Sequence, residues 1–308
     1  MNRKENKTYL LIGSGNMASY LLAHQNASLS CKGIYSSNSE NATLLSHQYG
    51  IAPLSSLEAI ANMAVDYIFL AVKDSAIASV FERINSSALF ISFSGMLDEQ
   101  QLAIASNKAI ATLWPLYSIN TTVKHTTPIP FIINNETTQH SSELRFLASQ
   151  YSTTIIELSY EQRKAAHLAA VVLNNFVNHL YALTQSFCEE KQLDARLFIP
   201  LIAQTAAQYA APNAHNTQTG PAIRGDQDTI QKHLENVMNK GLYILIFLSL
   251  GSLSAQTKKT ESIYFELDKS TLNQVEIQRM EKFFETIDFS SCKSIHLYGY
   301  CDDRGSIA

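Results

Sequence analysis

The sequence is poor in charged residues and has no concentrated patch of basic side chains. Only 16% of its 308 residues are charged, and the formal net charge is -4. A slightly acidic chain without a basic cluster, or without aromatic residues interleaved with basic ones, is unlike a nucleic-acid-binding protein. We therefore expect no nucleic-acid partner.

Cysteines are also few and widely separated. They are Cys31, Cys188, Cys292 and Cys301. No C-x-x-C spacing occurs, so the sequence indicates neither a zinc site nor a redox-active pair, and we expect no metal. We expect no secretory signal at the start, because residues 1–7 are polar and lead directly into an apolar run. We therefore expect residues 1–237 to lie in the cytoplasm.

A glycine-rich turn lies between the apolar run 8–12 and a helical pattern at 19–24. Its residues are Gly13, Ser14, Gly15, Asn16, Met17 and Ala18. Strand, glycine turn and helix together are typical of dinucleotide-binding proteins. The first glycine permits a tight turn, and the second lets the backbone approach a pyrophosphate. The helix N-terminus then attracts phosphate. An ordinary glycine turn of a sheet protein is the alternative.

The end of the second predicted strand bears on the choice of nucleotide. Ser36, Ser37 and Asn38 stand there, about where an acidic residue would bind the ribose 2′-hydroxyl of NAD. Small polar side chains leave room for a 2′-phosphate, although no arginine stands beside them. This pattern favours NADP, with NAD still possible.

Strands alternate with helices through the first half of the chain, which predicts a doubly wound parallel sheet. Small or polar residues end two buried apolar runs: Ala71 and Val72 end one, and Ser94 and Gly95 follow another. Ligands bind at the carboxyl ends of parallel strands, so we expect these residues to contact the cofactor. Pro130 favours an edge position for a later strand.

From residue 159 the pattern becomes helical, and one long helix is predicted over 161–191. His167, Asn174 and Asn178 lie on one of its faces, beside an apolar stripe. Asparagine is a poor helix former, so such a face is unusual. It either lines a cleft or is a solvated face with satisfied polar residues.

A loop rich in turn-forming residues follows at 217–226. Thr219, Gly220, Arg224 and Asp226 bring a hydroxyl, a cation and an anion into one short segment. Asp226 is either part of a substrate-binding loop or the cap of the next helix. Arg224 pairs with a carboxylate, either of the substrate or of the protein.

These segments together resemble a known group of oxidoreductases. The turn at 13–18, with 70–72 and 94–95, is similar to the NADP-binding domain of pyrroline-5-carboxylate reductases and deazaflavin-linked NADP reductases. The segments 167–181 and 219–226, with His233, resemble Rossmann-like oxidoreductases whose C-terminal helical domain is catalogued as a domain of unknown function. The resemblance covers roughly residues 6–236.

The resemblance implies a nicotinamide cofactor, a helical dimerisation domain and a cleft for an unidentified small molecule. In such a site the cofactor transfers hydride while protein groups place the substrate and move a proton. His167 is the candidate for that proton, since histidine titrates near neutral pH. Asn174, Asn178 and Arg224 would orient or polarise the substrate. A structural role is the alternative for each of them.

The last seventy or so residues differ in character. A short basic start, the apolar run 241–253 and a small residue before Gln256 are typical of a secretory signal peptide. A membrane anchor and a buried helix are alternatives. Residues 257–308 resemble the first half of an OmpA-like domain, in which Asp302 would meet the peptidoglycan stem. The ligand-binding arginine of that family is missing.

The sequence therefore predicts an α/β Rossmann domain at 1–158, a truncated all-α domain at 159–237, a signal-like segment at 238–256 and a partial α+β OmpA-like tail at 257–308. The expected function is an NADP-dependent oxidoreductase, joined by a frame or assembly junction to the start of an exported protein. The alternative is a membrane-anchored envelope protein that binds peptidoglycan through its tail.

Overall fold

A seven-stranded sheet forms the first part of the protein. The computed structural model describes residues 6–24, 26–120, 128–135 and 139–210, with a few isolated positions beyond, among them Gly220, Arg224, Asp226 and Thr229. The strands are β1 Lys7–Ile12, β2 Leu29–Tyr35, β3 Tyr67–Leu70, β4 Leu89–Ser92, β5 Ile110–Pro115, β6 Phe131–Asn134 and β7 Ile155–Leu158. Their order in the sheet is β2-β1-β3-β4-β5-β6-β7.

Helices connect most of these strands. They are α1 Asn16–His24, α2 Ser39–Tyr49, α3 Asp74–Arg83, α4 Glu99–Ser106 and α5 Ser141–Ser149, and α6 Tyr160–Ala170 follows β7. A short 3-10 helix, Glu58–Asn62, precedes β3. Asn38 and Asp98 cap α2 and α4, because each side chain accepts a hydrogen bond from a backbone N–H in the first helical turn.

The sheet is buried on both faces. In β1, Tyr9 and Leu11 pack in one apolar cluster while Leu10 and Ile12 pack in another. Because successive side chains of a strand point to opposite faces, the two clusters cover the two sides of the sheet. This arrangement confirms the predicted Rossmann-like fold.

One prediction about the sheet is wrong. The strand after Pro130 lies inside the sheet, where β6 pairs antiparallel with β5 and parallel with β7. Pro130 is compatible with this position because it precedes β6, and its carbonyl oxygen accepts a hydrogen bond from the Leu116 N–H. The missing proline N–H therefore interrupts no ladder.

The chain divides into two compact units, with the boundary between Ala170 and Val171. In the second unit a π-helix, Val171–Phe176, is followed by α7 Val177–Glu190, a 3-10 turn Ala195–Phe198 and α8 Ile199–Gln208. The long helix predicted over 161–191 is thus interrupted by a π-helical segment. The division assigns α6 to the sheet unit, whereas the sequence places it in the helical domain; that domain boundary remains a prediction.

Candidate functional site

The glycine turn follows β1 at the carboxyl edge of the sheet. Gly13 has φ of +118°, and a side chain there would place its Cβ 2.1 Å from the Ala71 carbonyl oxygen. Only glycine fits this position, since both the dihedral angle and the contact exclude a Cβ. A Cβ at Gly15, in contrast, would meet nothing within 4 Å. The turn therefore leaves open space in front of the N-terminus of α1, as a bound phosphate requires.

A pair of hydroxyl groups joins this turn to the end of β2. The Ser14 hydroxyl donates to the Ser36 hydroxyl at 2.8 Å, and Ser36 Oγ accepts from the Asn38 N–H at 3.2 Å. Asn38 in turn caps α2, and Ser37 is exposed. No carboxylate stands at this strand end, so the residues present fit a nucleotide whose ribose carries a 2′-phosphate.

A pocket of about 210 Å³ opens at the ends of the central strands. It is lined by Met17, Leu70, Ala71, Val72, Asp74, Phe93, Ser94, Trp114, Pro115, Tyr117 and Ile119. Of the predicted cofactor-binding residues, Met17, Ala71, Val72 and Ser94 thus share one pocket. The pocket combines apolar side chains with polar groups, and it lies beside α1 at the carboxyl ends of β3, β4 and β5. Ligands of open parallel sheets bind at this edge, so the pocket is a candidate cofactor site.

Asp74 is a pocket residue that we did not predict to be part of the site. It is the first residue of α3, and its carboxylate accepts a hydrogen bond from the Ser94 hydroxyl at 2.8 Å. Ser94 Oγ also accepts from the Met96 N–H at 3.1 Å. The sequence shows Asp74 directly after a buried strand, which is the signal that could have identified it.

His167 lies in the sheet unit beside Trp114, which lines the pocket, and beside Gly95. Its ring is 5.3 Å from that of Trp114, centroid to centroid. A Cβ on Gly95 would lie 2.6 Å from His167 Nδ1 and 2.8 Å from Trp114 Cε2. Glycine at position 95 is therefore what allows the two rings to pack against this loop. Burial lowers the pKa of the His167 imidazole, and the negative charge of Asp74 opposes that shift.

Arg163, one helical turn before His167, is fully buried and was also missed by sequence reasoning. Its guanidinium pairs with the buried Glu99 at the start of α4, and it donates to the backbone carbonyl oxygens of Gly95 and Leu97. Burial raises the pKa of the Glu99 carboxyl, but hydrogen bonds and charge from Arg163, with a further bond from Asn134, hold it below its usual range. The partners stand more than sixty residues apart in sequence, so no local pattern could reveal them.

The other predicted site residues lie outside the sheet unit. Asn174, in the π-helix, is exposed and donates to the neighbouring Asn175 side chain at 2.9 Å; Asn178, in α7, is also exposed. A polar face on this part of the chain is therefore present, and its role stays a prediction. A π-helical segment often marks a functional region, because it interrupts the regular hydrogen-bond ladder.

In the predicted loop, Asp226 behaves as a helix cap. Its carboxylate accepts hydrogen bonds from the Thr229 N–H at 3.1 Å and the Thr229 hydroxyl at 2.8 Å. These bonds hold the pKa of the Asp226 carboxyl below its usual range. The Arg224 side chain is exposed, and the backbone N–H of Arg224 donates to the Gly220 carbonyl oxygen at 3.3 Å. The geometry favours the capping alternative for Asp226.

Several predictions lie outside the described residues. They concern Thr219, the apolar run 241–253 and Asp302. Within the described part of the chain, no helix has the length and apolar character needed to cross a membrane. No group of three or more histidine, cysteine or acidic side chains in that part could hold a metal ion.

Taken together, the glycine turn, the pocket at the strand ends and the sheet order define a dinucleotide-binding protein of the Rossmann class. Residues 8–94 match the family model described as NADP oxidoreductase, coenzyme F420-dependent, and residues 129–251 match a domain of unknown function, DUF2520. The chain thus combines an NADP-oxidoreductase-type Rossmann domain with a DUF2520 helical domain, as the resemblance predicts. At this level the oxidoreductase class and the NADP cofactor are confirmed.

Solved structures show the same fold. A Bacteroides fragilis protein classed as an NADP oxidoreductase is 26% identical, with a TM-score of 0.69, over 80% of this chain and 98% of that one. An imine reductase from Myxococcus stipitatus in complex with NADP+ is 12% identical, with a TM-score of 0.58, over 79% and 92% of the two chains.

The 1-pyrroline-5-carboxylate reductase from Streptococcus pyogenes is 15% identical, with a TM-score of 0.54, over 79% of this chain and 95% of that one. At these low identities the imine reductase and the pyrroline-5-carboxylate reductase share the fold alone. No curated protein matches the chain. The matched family models end at residue 251, so they do not reach the tail for which an OmpA-like domain is predicted.

Proposed function

We propose that the protein is an NADP-dependent oxidoreductase that acts on a small molecule by hydride transfer. The observation that carries this proposal is the turn at Gly13 and Gly15: only glycine fits position 13, and the absence of any atom within 4 Å of a Cβ at position 15 leaves open space at the N-terminus of α1. The match of this region to an NADP oxidoreductase model supports the same conclusion.

Two groups of residues would hold the cofactor. The phosphate and ribose group comprises Gly13, Ser14, Gly15, Asn16, Ser36, Ser37 and Asn38. The group around the pocket comprises Met17, Ala71, Val72, Ser94 and Gly95. The open space before α1 suits the pyrophosphate, and the hydroxyl and amide groups at the end of β2 suit the 2′-phosphate.

The cofactor supplies the hydride when it is bound, and His167 moves the accompanying proton. Burial lowers the pKa of His167 and so favours the neutral imidazole, the form that accepts a proton in the oxidative direction. In the reductive direction it must first be protonated, which lower pH favours. Asn174, Asn178 and Arg224 are proposed to orient the substrate.

We further propose that the protein is a homodimer through its helical region. Apolar side chains on and beside α8 are strongly exposed: Leu197 by 69%, Ile199 and Leu201 by 58% each, and Ile202 by 36%. An apolar surface of this kind typically marks a protein–protein contact. The resemblance of the chain to dimeric oxidoreductases suggests that a second copy covers it.

Gly15→Ala tests the cofactor site directly. A methyl group at position 15 meets no protein atom within 4 Å, so the free energy of unfolding should change by less than about 1 kcal/mol. It would nevertheless project into the space assigned to the pyrophosphate, so NADPH affinity should fall about tenfold or more. Quenching of Trp114, the only tryptophan of the chain, measures that affinity because Trp114 lines the pocket.

Gly50→Ala is the matched control. Gly50 also has open space around it, but it caps α2 with a φ of +63° and takes no part in the proposed site. This variant should lose stability and keep its NADPH affinity. Equal NADPH affinity in the wild type and in Gly15→Ala would contradict the proposed cofactor site.

A further inference from the structure

Arg163 is buried more completely than a structural arginine usually is. Its relative exposure is 0%, and the hydrogen-bond partners of its guanidinium, Gly95, Leu97 and Glu99, lie in or next to the loop between β4 and α4. Nη1 and Nη2 donate to Glu99 Oε1 and Oε2 at 3.0 and 2.5 Å, and Nε donates to the Gly95 carbonyl oxygen at 3.2 Å. One side chain therefore ties α6 to that loop with a fixed, forked geometry.

The acidic partner is itself held in place. Glu99 is 4% exposed, and its Oε1 accepts a hydrogen bond from Asn134 Nδ2 at 2.7 Å. Asn134 ends β6, so the network joins two helices, one strand and one loop. A buried ion pair seldom adds much stability over an apolar replacement, because desolvation of both charges offsets their attraction. This network therefore invites an explanation other than stability.

His167 is the residue that this network would position. It lies four residues after Arg163 on α6, and residues at this spacing lie on the same helix face. Gly95 contacts both Arg163 and His167. Its carbonyl oxygen accepts a hydrogen bond from Arg163 Nε, and the His167 ring occupies the space that a Cβ on Gly95 would need. If the loop moves, the surface on which the imidazole rests moves with it.

The two nitrogens of His167 differ in their surroundings. Nδ1 is buried and has no hydrogen-bond partner. Nε2 is therefore the nitrogen left to exchange a proton with a substrate or with water. The ring orientation that produces this difference depends on Gly95 on one side and on Trp114 on the other.

We infer that Arg163 is a positioning residue for His167: by fixing the loop at Gly95, it holds the imidazole against Trp114 with Nε2 as the proton-exchanging atom. This inference rests on the proposed function in one respect, the assignment of the proton to His167. Its test uses no cofactor and no substrate, so a failure of NADPH binding leaves the result readable.

The test is a pH titration of the fluorescence of Trp114. A protonated imidazole quenches a neighbouring indole, so the fluorescence of the full chain should fall as the pH drops through the pKa of His167. Burial places that pKa below its ordinary value of about 6.5, while the charge of Asp74 opposes the shift. His167→Asn should remove the transition and so assign it.

Arg163→Lys keeps the charge opposite Glu99 but cannot reach both Glu99 and the Gly95 carbonyl oxygen with a forked geometry. Water should then reach the His167 ring. The midpoint of the fluorescence titration should rise by about half a pH unit or more, towards the ordinary pKa of histidine. Lys164→Met is the matched control, because Lys164 adjoins Arg163 but pairs with the exposed Glu161. Its midpoint should equal that of the wild type.

Glu99→Gln provides a second route if Arg163→Lys does not fold. It removes the charge that anchors Arg163 and should move the midpoint of the His167 titration away from the wild-type value. A folded variant of either kind with an unchanged midpoint, whatever its melting temperature, would show that the network is only structural and would overturn the inference. A shift in Lys164→Met equal to that in Arg163→Lys would also overturn it.

Discussion

At the residue scale, we propose that selectivity for the nucleotide depends on three small polar residues after β2, Ser36, Ser37 and Asn38. Ser36 Oγ is already engaged by Ser14 and by the Asn38 N–H, whereas the Ser37 side chain is exposed. In NAD-dependent proteins of this fold, an acidic residue near this position binds the ribose 2′-hydroxyl and repels a 2′-phosphate. Ser37 is therefore the position at which one substitution should reverse the preference.

We expect Ser37→Asp to weaken NADPH binding about tenfold or more, because a carboxylate would face the 2′-phosphate. NADH affinity should stay unchanged or rise. Ser37→Asn, which is similar in size and neutral, should bind NADPH within about twofold of the wild type. Unchanged affinities for both nucleotides in Ser37→Asp would place the 2′-phosphate elsewhere.

Residues whose role is local could be predicted from the sequence, and residues whose role depends on distant partners could not. Gly13 was predictable because its turn is set by neighbouring residues, although the contact with Ala71 could not be foreseen. Arg163 was missed since its partner, Glu99, is brought to it only by the folded sheet, whereas the position of Asp74 after a buried apolar run could have identified it.

At the element scale, α8 is a helix without a described partner for most of its surface. Every residue from 199 to 207 is exposed, including the apolar ones, and Pro200 lies in the first turn of the helix, where proline is tolerated. Isolated helices of this length are marginal in water, so their stability comes from packing of an apolar face. A second copy of the chain would provide that packing.

Leu201→Glu tests this contact. A carboxylate placed in an apolar interface is costly to desolvate, so the dimer should weaken by more than about tenfold. Light scattering coupled to size exclusion should then report 34.2 kDa, the mass of one chain, where the wild type gives twice that mass. Ile104→Glu is the control, because Ile104 is a single exposed apolar residue on α4 and should leave the mass unchanged.

A wild-type protein that elutes as a monomer at micromolar concentration would contradict the proposed dimer.

The helical segments also show which features the periodicity of the sequence does not reveal. The pattern over 161–191 indicated one continuous helix. The π-helix Val171–Phe176 changes the hydrogen-bond spacing of the backbone, and the types of residue in this segment do not reveal that change. Pro130 was misleading for a related reason, since sequence alone could not show that β6 begins one residue later.

At the scale of the whole molecule, the chain joins an NADP-oxidoreductase-type Rossmann domain to a DUF2520 domain. The order of strands and helices could be predicted because apolar runs and helical patterns alternate clearly. The substrate could not, since it depends on side chains that different parts of the fold bring together. The OmpA-like tail and the cellular location of the protein remain predictions.

The central claim is that the glycine turn and the strand ends form an NADP site. Isothermal titration calorimetry of the full chain with NADPH and with NADH, at one fixed salt concentration, tests it most directly. We predict one NADPH per chain, bound about tenfold or more tightly than NADH, because the end of β2 carries no acidic residue. Binding of neither nucleotide, or tighter binding of NADH, would contradict the claim.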